Sequence, residues 1–225
     1  MRAAAQDTGR IYSAISDVLR PGISELDALA EAMERLRSAR VTRWGDLVQS
    51  GPSASIPHQR TGRRVVQRGD AVIVDFVAQR EGYLGDMTRT FAVENVSDEI
   101  CRAYGVVRDA QAAAIEAIKP GVTCEAVDAA ARRVIEAAGL GDFFVHRTGH
   151  GIGLDVHEAP YLVPGNKTPL APGMVVTVEP GVYLPGRFGI RIEDVVAVTE
   201  GGHDVLSRDV PTDVSTQFGR PARAA

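Results

Sequence analysis

Histidine, cysteine and tryptophan are scarce in this chain: 225 residues hold five, two and one of them. The two cysteines, Cys101 and Cys124, fall in expected helices without CxxC spacing, and are read as reduced and structural. No apolar stretch approaches the roughly 20 residues that a membrane-spanning helix needs. The opening MRAAAQDTGR has no apolar core of the secretory kind. A strong charge of one sign is missing too. Formal net charge is −4, so no global basic field points to nucleic acid. Arg60, Arg63, Arg64 and Arg68 form a local basic run, read as a solvated turn. These absences predict a cytoplasmic protein with no nucleic-acid or membrane partner.

What is present is ordinary globular material, 44% hydrophobic and 24% charged, in a length that suits one domain or two intimately packed halves. No linker separates independent domains. The chain resembles itself at long range. RPGISELDALAEAMERL begins at Arg20 and KPGVTCEAVDAAARRVI at Lys119, 99 residues later. In each, Pro and Gly make a turn (Pro21-Gly22, Pro120-Gly121) and Ser24 or Thr123 is placed to cap a helix. Helical spacing gives those helices apolar faces of Leu26, Leu29, Ala30 and Met33, and of Val127, Ala130, Ala131 and Val134. The same offset of 99 relates His58 to His157, and an offset of 104 relates Asp75 to Glu179. The order of matching elements predicts two pseudo-twofold halves, about 1–110 and 111–211, with a loose tail over about 212–225.

Ile11, Ile15, Val18 and Leu19 mark a first helix, and residues 98–118 a longer one with Ile100, Val107, Ala114 and Ile118 inward. Residues 71–78, 83–91, 173–179 and 189–198 read as strands, with a hairpin turn at Glu81-Gly82. Four of these strand positions are carboxylates: Asp75, Asp86, Glu179 and Glu193. A buried carboxylate is costly unless paired, hydrogen-bonded or metal-bound. Edge strands or salt bridges would account for any one of them. For four in pseudo-symmetric strands, Arg89 and Arg191 offer too little charge, whereas two divalent cations would balance the set. Three of the five histidines fall in HRTGHGIGLDVHEAP, residues 146–160. Oxygen donors with an imidazole such as His150 suit manganese, cobalt, iron or zinc. The flanking glycines are expected to let His150 approach a metal closely.

DF…GD-M-TRTF, HRTGHGIGLDVHE-P, TVEPGVY and GIRIEDVV together resemble the pita-bread metallopeptidases: methionine aminopeptidases, Xaa-Pro aminopeptidases and prolidases. The resemblance runs from about residue 5 to about residue 200. It implies an α+β pita-bread fold, with helices packed outside a curved antiparallel sheet. It implies five ligands for two divalent metals, manganese first: Asp75, Asp86, His150, Glu179 and Glu193. Asp86 and Glu193 would bridge them. It also implies Glu179 as proton shuttle, His58 and His157 as catalytic and substrate-binding residues, and His146 and Arg191 beside the substrate. The segment SGPSASIPH resembles the proline-specific branch, although Val77 stands where a glycine usually follows DF. The implied activity is cleavage of Xaa-Pro bonds at peptide N-termini, aminopeptidase P or prolidase-like, by a metal-bridging hydroxide. Hydrolysis of a small non-peptide amide and a catalytically silent binding module stay open as alternatives. A homodimer is the assembly the resemblance implies. An N-terminal domain usual in that branch is not seen in this sequence, so the chain is expected to be either a compact enzyme or part of a longer product.

Overall fold

Apolar spacing and turn chemistry divide the chain into four helices and ten strands among the described residues. The computed structural model describes residues 1–36, 42–210 and 212. Apart from Thr212, the tail expected over about 212–225 lies outside them. Helix α1 (Arg2–Ser16) and α2 (Glu25–Leu36) precede β1 (Thr42–Ser50), β2 (Ala71–Arg80) and β3 (Tyr83–Ala92). Helices α3 (Asp98–Ala117) and α4 (Cys124–Ala137) precede short strands: β4 (Gly149–Gly151), β5 (Glu158–Leu162), β6 (Val175–Val178), β7 (Gly181–Leu184), β8 (Phe188–Arg191), β9 (Asp194–Thr199) and β10 (Gly202–Val205). All strand pairs are antiparallel, in sheets ordered β1-β2-β3, β10-β9-β6-β4-β5 and β7-β8. The fold is the α+β pita-bread arrangement. No described helix is long and apolar enough to cross a membrane.

In the first half, Ile11, Tyr12 and Ile15 of α1 recur at helical spacing and pack on Val72, Val74, Phe76 and Met87 of the β2–β3 hairpin. Glu81 (φ 52°) and Gly82 (φ 86°) make the two-residue turn between Arg80 and Tyr83, both left-handed as a type I′ turn requires. Tyr104 and Val107 of α3 join Val127 and Ile135 of α4 in covering Leu162, Val176, Val178 and Ile190 of the second half. The halves are sewn together by an antiparallel bridge, in which Glu193 N–H donates to the Thr88 carbonyl at 3.0 Å. Beside it, Thr90 Oγ1 donates to the Arg191 carbonyl at 2.9 Å.

Four expectations are corrected. Leu26 is 42% exposed and Ala30 is also exposed, because α2 turns Glu25, Ala28, Leu29 and Ala32 inward instead. Thr123 makes no side-chain cap, whereas Ser24 Oγ accepts from Asp27 N–H at 3.1 Å. The start of α4 is tied by Cys124 N–H to Thr168 O (3.0 Å) and Glu125 N–H to Asn166 O (2.8 Å). The strand expected over 189–198 breaks into β8 and β9, leaving Ile192 and Glu193 between them to reach across to β3. The strand expected over 173–179 covers only Val175–Val178, because Gly173 turns at φ 89° and Pro180 follows Glu179. Helix α3 runs unbroken through residues 110 and 111.

Candidate functional site

Register decides which side chains of the first half meet. Asp75 lies opposite Thr88, Val77 opposite Asp86 and Ile73 opposite Thr90. Directly opposed residues share a face, so Asp75 and Asp86 are diagonal neighbours on one side of the hairpin. Arg89 falls on the other side. It is fully buried against Asp194 (2.7 Å) and the Glu193 carbonyl (2.6 Å), so it offers the carboxylates no counter-charge. The bridge to Thr88 brings in Glu193, whose Oε2 accepts from Thr88 Oγ1 at 2.7 Å. Glu179, just past β6, is held by Thr177 Oγ1 at 3.4 Å and by its own N–H to the Thr148 carbonyl at 2.7 Å.

His150 enters on β4. The glycines around it serve a different end from the one expected. A Cβ at Gly149 would lie 1.9 Å from the Thr177 carbonyl oxygen, and one at Gly151 would lie 2.4 Å from that of Ala159. They let β4 press between β5 and β6 rather than clear room beside a metal. The Nδ1 of His150 lies 3.0 Å from the Gly151 carbonyl. That contact makes Nδ1 the protonated nitrogen and leaves the Nε2 lone pair facing Glu179 Oε1 at 3.3 Å and Asp86 Oδ2 at 4.0 Å. Burial drives the imidazole pKa down to about 3, so His150 is neutral near pH 7.

A neutral acceptor aimed at carboxylates calls for protons or cations between them. Burial raises Asp86 and Glu193 well above the carboxylate range, with neighbouring acids adding to it, and lifts Glu179 to about 7. Asp86, His150 and Glu193 are all buried and offer ligand atoms within 4.8 Å of one another. Asp86 Oδ1 is buried without a hydrogen-bond partner. Hard oxygen donors, one imidazole and an unsatisfied carboxylate oxygen fit divalent transition-metal ions. Asp75 and Glu179 flank this group; Asp75 already accepts from Arg191 at 2.5 Å.

Arg191 has a partner at each nitrogen: Thr88 Oγ1 (3.2 Å), Tyr183 OH (2.7 Å) and Asp75 (2.5 Å). It is 1% exposed, and it braces Asp75. Tyr183, its pKa pushed up to about 12 by burial, lies 2.9 Å from His146 Nε2. The His146 Nδ1 lies 2.7 Å from the Arg147 carbonyl. These contacts form a directed chain: guanidinium to phenol oxygen, phenol to imidazole, imidazole to carbonyl. His146 is held by these contacts and kept neutral by burial. His157 is exposed, with its ring 4.4 Å from that of His150. His58 is exposed in a turn at φ 57°; burial lowers its pKa, and Arg191, Asp75 and His157 set its charge environment.

Sequence reasoning missed Thr88, Tyr183, Glu25 and Asp128. Thr88 shares a face with Asp86, and Tyr183 stands in TVEPGVY, so both were within reach of the pattern. Glu25 and Asp128 are buried acids on helices. Glu25 accepts from Ser50 N–H (2.8 Å), Ser50 Oγ (2.7 Å) and Gly62 N–H (3.0 Å). Asp128 accepts from Thr148 Oγ1 (2.7 Å) and Arg132 (2.9 Å). A separate cavity of about 440 Å³ between α1 and residues 206–210 contains none of the candidate ligands.

The pattern of metallopeptidase family M24 matches residues 1–200. A probable dipeptidase PepE of Mycobacterium tuberculosis is 45% identical over 204 residues, which are 90% of this chain and 54% of that protein. A prolidase from Pyrococcus furiosus superposes with a TM-score of 0.89 at 33% identity, covering 92% of this chain and 62% of its own. An X-Pro aminopeptidase from Thermotoga maritima gives 0.88 at 36% identity, covering 94% and 60%. The chain thus spans little more than half the length of these relatives.

Proposed function

Because the chain belongs to metallopeptidase family M24, we propose that it is a peptidase using two divalent metal ions, manganese first, to cleave Xaa-Pro bonds at peptide N-termini. The observation that carries this reading is the buried convergence of Asp86, His150 and Glu193 around an unpartnered carboxylate oxygen. Asp75, Asp86, His150, Glu179 and Glu193 would hold the ions. When bound, these ions would polarise the scissile carbonyl and make water acidic near neutral pH.

The side chains divide the remaining work. Glu179 takes a proton from the attacking water and delivers it to the leaving nitrogen. His157 and His58, one from each half, donate to the developing oxyanion and the substrate backbone. Arg191 fixes the Asp75 carboxylate, and Tyr183 and His146 fix Arg191 and Tyr183 in turn. The leaving nitrogen of an Xaa-Pro bond carries no N–H, so a site that offers it no acceptor loses nothing with this substrate.

The test is hydrolysis by metal-stripped protein, with and without Mn²⁺, of a mixture of Xaa-Pro dipeptides, Xaa-Pro-Xaa tripeptides and Met-Ala-Xaa peptides, followed by mass spectrometry. Manganese-dependent loss of the proline peptides alone is expected. Loss of the Met-Ala peptides instead, or no cleavage with metal bound, overturns the reading.

A further inference from the structure

His58 stands in a turn that its own side chain disfavours. Pro57 precedes it, and the Gln59 N–H donates back to the Ile56 carbonyl at 3.1 Å, which closes the turn. His58 holds the third place at φ 57°, a left-handed backbone that glycine or asparagine adopts more readily. Burial does not supply the missing support. Ile56 is 53% exposed, and His58, Gln59 and Arg60 are exposed as well. A strained turn keeps one geometry only where its surroundings hold it.

The hold comes from β1. Gln49 lies opposite Ile73, as Leu47 lies opposite Asp75, so its side chain leaves the sheet on the face that carries Asp75. Gln49 is fully buried, and its Nε2 donates to the Ile56 carbonyl at 3.0 Å. A carbonyl can only accept, so the amide nitrogen is the atom that must face it. Among the described residues this is the one hydrogen bond from a side chain to the turn. The amide oxygen is buried without a partner. A buried amide satisfied on one side only adds little to stability. Methionine has nearly the same shape and strands no polar group, and the Ile56 carbonyl would keep the Gln59 N–H. What Gln49 contributes is therefore direction: it ties the turn of His58 to the strand beside Asp75.

We propose that Gln49 is the positioning residue for His58, setting through the Ile56 carbonyl where the imidazole meets the substrate. The role of His58 rests on the peptidase reading above. The experiment compares wild type, Gln49→Met, His58→Ala and the double variant, as metal-loaded full chains, on alanyl-proline. Gln49→Met should lower kcat/KM about tenfold, chiefly through kcat, because a small misplacement of a catalytic group is costly. Metal content and urea midpoint should not change. In the His58→Ala background the same substitution should alter kcat/KM by less than about twofold, because the two residues act as one unit. An unchanged kcat/KM in Gln49→Met overturns the proposal. An equal loss in both backgrounds, with a lower urea midpoint, marks a merely structural residue and overturns it too. If wild type does not cleave the dipeptide, the peptidase reading fails, and NMR of the imidazole Cε1–H signals decides the positioning alone. The His58 signal, identified by its loss in His58→Ala, should shift or broaden in Gln49→Met while that of His203 stays in place. A His58 signal that superposes on that of wild type overturns the proposal.

Discussion

The two halves enter their sheets through the same backbone turn and then secure their histidine segments with different acids. Gly22 N–H donates to Val66 O (2.9 Å) and Gly121 N–H to Leu170 O (2.8 Å); Val66 N–H returns to Ile23 O and Leu170 N–H to Val122 O, both at 2.8 Å. The offsets are those of the sequence repeat, 99 for the glycines and 104 for their partners. Beyond this turn the halves diverge. Glu25, the first residue of α2, gathers Ser50 and Gly62, the segment leading to and past His58. In the second half Cys124 occupies the corresponding position, and Asp128, one helical turn later, gathers Thr148 just before His150. Repetition has preserved hydrogen bonds between main-chain atoms, which tolerate any side chain, while the acidic anchors moved along the helix.

The largest expected effect tests whether the halves contribute equally to the metal site. Asp86→Ala from the first half and Glu193→Ala from the second should each remove bound metal and reduce turnover by at least about a thousandfold. Elemental analysis beside a turnover assay reads both, and metal retained in only one variant would break the equivalence. Next come the anchors. Glu25→Ala strands two backbone N–H groups and a hydroxyl, and should lower unfolding free energy by roughly 2–4 kcal/mol. Asp128→Ala should cost about 1–3 kcal/mol, because its partner Arg132 is partly exposed and can turn to water. Urea denaturation measures both, and a reversed order would show that the second half depends more on its anchor.

The smallest effect concerns charge. In metal-free protein Glu179 is lifted by burial to about 7 from an ordinary 4.5. A raised carboxyl binds more protons folded than unfolded, so its stabilising share is complete below about 4.5 and is lost as pH rises through about 7. Asp86, raised by burial and by Asp75 and Glu179, and Glu193, raised by burial and by Asp86 and Glu179, act in the same direction. The urea midpoint of chelator-treated protein should therefore fall between pH 5 and 8, and Glu179→Gln should flatten part of the fall. A midpoint that rises over this range would contradict the burial of these acids.

The halves also differ in how much of them was legible. Strand β2, β3 and their turn followed from alternation and from Glu81-Gly82, because a hairpin is specified by neighbours in sequence. Asp75 and Asp86 stand mid-strand, where a carboxylate among apolar residues is conspicuous. Glu179 and Glu193 lie past a strand end and in a gap between strands, positions fixed by contacts with Thr148 and Thr88 from far along the chain. Their residue types were visible, but the broken strands around them were not. Strand β1 went unseen because its pairing with β2 is non-local. The short β4 and β5 are likewise held by partners that periodicity cannot register. Leu26 misled because propensity and spacing do not say which stripe of a short helix the rest of the protein will cover.

Arg89 joins three parts of the chain: it donates to the carbonyls of Thr88 (2.9 Å), Glu193 (2.6 Å) and Val210 (2.8 Å) while pairing with Asp194. In mechanical terms it is one of several fasteners between the ligand-bearing seam and residues 206–210 and 212, beside the Ser207 hydroxyl on Asp194 (2.5 Å) and the Tyr104 hydroxyl on the Thr212 carbonyl (3.2 Å). Tension applied at Val210 reaches the seam by two routes, through the Arg89 guanidinium to the backbone of Glu193 and through Ser207 to Asp194 and Val195, so the seating of a candidate metal ligand is shared between a cation and a hydroxyl.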